Sequence, residues 1–88
     1  MISINVKILN QLGIHARTAA KLVRTAALYK CSINAVKNGK LYDLKDVRGA
    51  ITLNGKFGDD LNIEFNGVDE IEASNCIKQL FLNNMGEN

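Results

Sequence analysis

Proline is absent from this chain, so its turns must be read from glycine and asparagine pairs. Tryptophan is absent too. The remaining aromatics, Tyr29, Tyr42, Phe57, Phe65 and Phe81, are scattered and form no base-stacking motif, which argues against a nucleic-acid binder. Neither sign of charge dominates: 11 basic and 9 acidic residues leave a net charge of +2, too balanced for a nucleic-acid footprint. Cys31 and Cys76 lie far apart and form no Cys-x-x-Cys pair. With a single histidine elsewhere they make no metal-ligand pattern. They read as small hydrophobes kept reduced. No apolar run reaches the ~20 residues of a membrane helix. The N-terminus lacks the basic-then-apolar layout of a signal peptide. The expectation is a cytoplasmic protein with no metal, no cofactor and no membrane insertion.

What is present fits one small domain over residues 1–88. Apolar content of 47% and charged content of 23% are ordinary for a globular chain. Its size allows somewhat over ~60% of the unfolded surface to be buried. Ile2, Ile4, Val6 and Ile8 alternate with Ser3, Asn5 and Lys7, the mark of a strand with one apolar face. Cys31, Ile33 and Ala35 give a second strand, Asn38-Gly39 a hairpin turn, and Lys40 to Asp43 its return. Leu61, Ile63 and Phe65 give a fourth.

Helices are expected at Ala16 to about Leu28, from Val47, and after Asp69. The first has an apolar stripe of Ala16, Ala19, Ala20, Val23, Ala26 and Ala27, with Thr18, Lys21, Arg24 and Thr25 on its exposed flank. Asp46 is a candidate N-cap for the short second helix, which Gly49 weakens. Asp69 with Glu72 reads as a capping box for the third. Its buried stripe is expected from Ala73, Cys76, Ile77 and Leu80, with Glu70 and Lys78 exposed and Asn83 to Asn88 a frayed tail. The order is β-α-β-β-α-β-α. Strands with one apolar face place the helices on one side of an antiparallel sheet, a two-layer open-faced α+β sandwich.

The chemistry points to Asn10 through Ala20, which holds the only histidine. His15 falls where the strand pattern has ended and the helix pattern begins, after a flexible Gly13. The first amides of a helix are unpaired and carry partial positive charge, so they favour a bound phosphate. Arg17, in the same turn, adds a guanidinium suited to phosphate oxygens. An imidazole beside such a site fits phosphoryl transfer through histidine. Taken alone, that signal is weak: a single histidine at a helix start is usually just a solvated or locally bonded side chain.

Gly13-Ile14-His15-Ala16-Arg17, followed by the alanine-rich helix, resembles the active-site motif of the HPr family, the phosphocarriers of the bacterial phosphotransferase system. The likeness spans the whole chain and includes a second region around Asp46. It implies strand order 1-4-2-3, all antiparallel, and Nδ1 of His15 as the attacking atom. It implies Arg17 and the amides of Ala16 and Arg17 as the phosphate holders, enzyme I as donor and an enzyme IIA as acceptor, and a monomer. Docking falls to Thr18, Ala20, Arg24, Val47, Arg48 and Ile51.

Three positions depart from the family pattern. Thr18 stands where a proline is usual, which restores a backbone donor and a hydroxyl. Arg48 stands where an apolar residue is common. Asp46 stands where many Gram-positive members carry a serine that an ATP-dependent kinase phosphorylates. Asp46 reads either as a plain helix cap or as a fixed, weaker mimic of phosphoserine. A regulatory binding module that docks without sustained transfer is the alternative to a carrier.

Overall fold

The computed structural model describes residues 1–86. Its elements follow in the expected order: β1 Ile2–Lys7, α1 Ala16–Ala26, β2 Ser32–Lys37, β3 Lys40–Asp43, α2 Val47–Thr52, β4 Asp60–Asn66, α3 Glu70–Leu82, and a short 3-10 turn at Asn84–Gly86. The strands form one antiparallel sheet in the order β1-β4-β2-β3. Register follows the alternation: Ile4 lies opposite Ile63, and Ile33 opposite Phe65, so the apolar residues share one face. The helices cover that face. Leu22 of α1, Ala50 of α2 and Ile77 of α3 join Ile33, Leu61, Ile63 and Phe65 in one buried cluster. Each large member contributes about 1.5–3 kcal/mol of transfer free energy. On the other face Asn62 donates to Ser3 Oγ at 2.7 Å and Asn5 Oδ1 at 3.0 Å, a polar surface facing water.

Asn38 (φ 52°) and Gly39 (φ 77°) make the β2–β3 hairpin a turn with both central residues left-handed, as their pairing predicts. Gly49 has a packing role beside its expected weakening of α2. A Cβ there would collide with the backbone oxygen of Asp43, so glycine is what lets α2 lie against the end of β3.

Several expectations need correction. Helix α1 ends at Ala26, and the next residues turn away through Leu28 N–H to Thr25 O and Tyr29 N–H to Ala26 O. Its buried stripe is Thr18, Ala19, Leu22 and Ala26, while Ala16 and Ala27 are exposed. Alanines are small enough to sit on either side, and Leu22 decides which side faces in. Thr18 is therefore buried and not on the exposed flank. In α3 the buried set is Ala73, Ser74, Ile77 and Phe81, with Cys76 and Leu80 only partly covered.

Asp69 occupies the N-cap position of α3 but makes no capping hydrogen bond. Its carboxylate accepts from Lys30 N–H at 2.7 Å and Cys31 N–H at 2.8 Å, tying α3 to the start of β2. Glu70 is partly covered, accepting from Gly67 N–H at 3.1 Å and pairing with the N-terminal ammonium at 3.0 Å. The expected tail is folded as far as the structure describes it. Asn84 (φ 55°) and Met85 (φ 56°) turn left-handed and drive Met85 into the core at 1% exposure. Burial of a pliable apolar side chain offsets the backbone cost there. Residues 87 and 88 of that tail lie outside the described residues.

Candidate functional site

The site is built from the loop between β1 and α1. Gly13 is left-handed (φ 70°), and a Cβ on it would stand 2.5 Å from Gly55 O. The same carbonyl accepts Ile14 N–H at 2.9 Å, and Ile14 is buried. Gly13 N–H donates to Asn10 O at 3.0 Å, and the Asn10 side-chain amide donates back to Gly13 O. The loop is thus anchored on both sides immediately before His15.

His15 is the N-cap of α1, with extended backbone (φ −120°, ψ −173°). Its Nδ1 accepts Arg17 N–H at 3.3 Å, and its own N–H donates to Thr18 Oγ1 at 2.9 Å. His15 is half-buried; Ala16 and Arg17 are exposed. The first turn itself, Ala16 to Thr18, contains no acidic residue that would add negative charge at that helix end. An open cleft beside the loop is lined by Leu12, Arg17, Lys21 and Arg24 and by Asn84 and Met85. This arrangement can present an imidazole nitrogen to an incoming anion and receive that anion on helix amides and cations.

The remaining expected residues fall into two groups. Arg24, Val47, Arg48 and Ile51 are exposed, Val47 and Ile51 at 42% and 45%, and Ala20 is half-buried. Helices α1 and α2 pack against each other, which brings both sets onto neighbouring elements. Thr18 is only 1% exposed, so its side chain is unavailable for docking. Asp46 caps α2, its Oδ1 accepting Arg48 N–H at 3.0 Å while the residue stays exposed. Sequence reasoning placed Asn10 and Leu12 in the central stretch without a role for either, and gave Gly55 no part in the site. The signal for Leu12, which is 77% exposed, is an apolar residue lying outside both the strand and the helix periodicities.

The structure thus joins an open-faced sandwich to an imidazole at the start of its first helix. The family described as "PTS HPr component phosphorylation site" matches residues 2–83. The phosphocarrier protein HPr of Cupriavidus necator is 33% identical over 87 residues, covering 99% of this chain and 98% of that protein. Among solved structures, HPr-C-His from Thermoanaerobacter tengcongensis superposes with a TM-score of 0.95 at 31% identity, covering 100% of this chain and 99% of that one. An HPr dimer from the same organism gives 0.78 at 31% identity, covering 99% and 100%. The chain belongs to the HPr family and is a phosphocarrier of the phosphotransferase system.

Proposed function

We propose that His15 takes a phosphoryl group from phospho-enzyme I, itself charged from phosphoenolpyruvate, and passes it to a histidine of a sugar-specific enzyme IIA. The observation that carries this reading is the hydrogen bond from Arg17 N–H to His15 Nδ1 at the start of a helix whose first turn holds no acid. A nitrogen that accepts a hydrogen bond carries no proton, so its lone pair is the one available for attack. As the new P–N bond forms, the bond from phosphorus to the donor breaks and its electron pair stays on the donor. The Arg17 amide is then placed to leave Nδ1 for a phosphoryl oxygen, joined by Ala16 N–H and the Arg17 guanidinium.

An open site suits a group that must be handed on. The chain works as a single domain and a monomer in the cytoplasm. It needs no cofactor and is not an enzyme by itself. Docking of enzyme I and enzyme IIA falls to Ala20, Arg24, Val47, Arg48 and Ile51. The alternative, a regulatory module that docks without sustained transfer, draws support from the exposed carboxylate of Asp46 on α2. Incubation with enzyme I and phosphoenolpyruvate, followed by intact mass, separates the two. Wild type should gain one phosphoryl group and lose it on addition of enzyme IIA. His15→Ala should stay folded and gain none. Label that survives His15→Ala would overturn the assignment of His15.

A further inference from the structure

We propose that Thr18 is a positioning residue for the transfer step: its buried hydroxyl fixes the backbone of His15 so that Nδ1 faces the first-turn amides. This rests on His15 being the nucleophile. Thr18 is 1% exposed, and a hydroxyl that deep needs partners. It accepts His15 N–H at 2.9 Å, and its own proton reaches Gly13 O at 3.3 Å or His15 O at 3.2 Å. One hydroxyl has one proton, so it serves those two carbonyls in turn. Gly13 O is also held by Asn10, which is 6% exposed. Gly13, Ile14 and His15 are therefore each tied to a buried neighbour, and His15's own amide is tied to Thr18.

That tie matters because the contact at Nδ1 is long. At 3.3 Å the Arg17 N–H bond is near the limit of a useful hydrogen bond, and a small rotation of the His15 backbone would lose it. Displacement of a reacting group by about 1 Å can cost on the order of 10²-fold in rate. A proline at this position would fill the space but could offer the His15 amide no oxygen. Here a hydrogen bond does the orienting, so transfer should depend on the hydroxyl and not on bulk.

Thr18→Val keeps the shape and removes the hydroxyl; Thr18→Ser keeps the hydroxyl and removes a methyl. Each is compared with wild type in enzyme I-dependent phosphorylation over a range of carrier concentrations, with melting temperature and the ¹⁵N signals of the His15 imidazole recorded alongside. Thr18→Val should lower the maximal rate about tenfold with an unchanged half-saturating concentration, since a buried residue touches no partner. Its imidazole signals should move. Thr18→Ser should hold the rate within about twofold and keep the signals in place, even at a lower melting temperature. A valine variant that transfers at the wild-type rate overturns the proposal. Should that variant fail to fold, serine decides: a wild-type rate supports the proposal and a tenfold loss overturns it. Wild type that takes no label removes the His15 reading itself, and this inference with it.

Discussion

The starts of α1 and α3 meet the same electrostatic problem in opposite ways. Both helices present unpaired amides and a partial positive charge. At α3 the chain supplies its own anions. Asp69 stands at the cap and Glu70 and Glu72 in the first turn, and the first two are already engaged by backbone amides or the N-terminal ammonium. Those bonds hold both carboxyls below their ordinary range, the Lys30 amide being the main cause for Asp69 and the Gly67 amide for Glu70. At α1 the cap is an imidazole, and the turn that follows reads Ala16, Arg17, Thr18 with no acid. One end is closed as a structural joint. The other carries no acid of its own in its first turn.

Turning α1 into a copy of α3 should break the difference. Ala16 is exposed in the first turn, so Ala16→Glu fits without steric cost. A carboxylate there would interact favourably with the helix dipole by about 0.3–1 kcal/mol and leave the melting temperature equal or higher. It would also repel the phosphoryl group and compete for the amides that should hold it. Loss of one such donor elsewhere costs on the order of 10²-fold, so we expect enzyme I-dependent phosphorylation to fall by about 10- to 100-fold. Stopped reactions analysed by intact mass would measure it. A variant labelled at the wild-type rate would mean that first-turn charge is irrelevant at His15.

The opposite change, removing the anion from α3, should act on stability and leave transfer untouched. A carboxyl whose folded pKa is depressed stabilises the fold above its unfolded pKa, and that contribution is lost as pH falls through the folded value. For Asp69 the ordinary value is 3.8. Asp69→Asn should therefore melt below wild type at neutral pH, and the gap should close as pH drops below about 3.8. Glu70, with an ordinary value of 4.5, leaves a residual acid sensitivity in the variant. Thermal unfolding from pH 7 to pH 2.5 gives the comparison. A gap that is the same at both ends would assign Asp69's role to the shape of its side chain, not to its charge.

These two helix starts also show what a sequence discloses. Strand alternation and the Asn38-Gly39 pair gave the sheet and its hairpin, because a period of two and a left-handed turn are local properties. His15 at the start of α1 was readable for the same reason. Asp69 was misread because its position matches a cap, whereas its partners, the amides of Lys30 and Cys31, are 39 and 38 residues away. Thr18 was misread because alanines on both sides of α1 leave its inward face ambiguous, and only the packing of Leu22 against the sheet resolves it. Met85 looked like a tail residue because nothing local predicts two consecutive left-handed residues. Gly49 looked like a flaw because its reason lies on Asp43. Strand order 1-4-2-3 came from the family resemblance, since no periodicity encodes which strands are neighbours.

The start of α2 lies between the two extremes, and it carries the smallest expected effect. Asp46 caps the helix through a side-chain bond from Arg48 N–H, yet the residue is exposed and sets its carboxyl group beside the exposed Val47 and Ile51. Charges at the rim of an interface act mainly on encounter rate and on rejection of like-charged partners. They are screened beyond about 8 Å at physiological salt. Asp46→Ser keeps a capping oxygen, so stability should change by no more than about 0.5 kcal/mol. If the carboxylate tunes docking, the serine variant should bind an enzyme I with an acidic docking surface more tightly, by a few-fold at low ionic strength. That gain should shrink as salt is added. The rate of transfer within the bound complex should stay the same, because Asp46 belongs to a different helix from His15. Asp46→Ala would confuse the result by removing cap and charge together. Affinity for enzyme I measured across a salt series for wild type and Asp46→Ser is the decisive comparison. Curves that coincide at low salt would make Asp46 a helix cap and nothing more, placing α2 beside α3 as a start whose acid serves the fold.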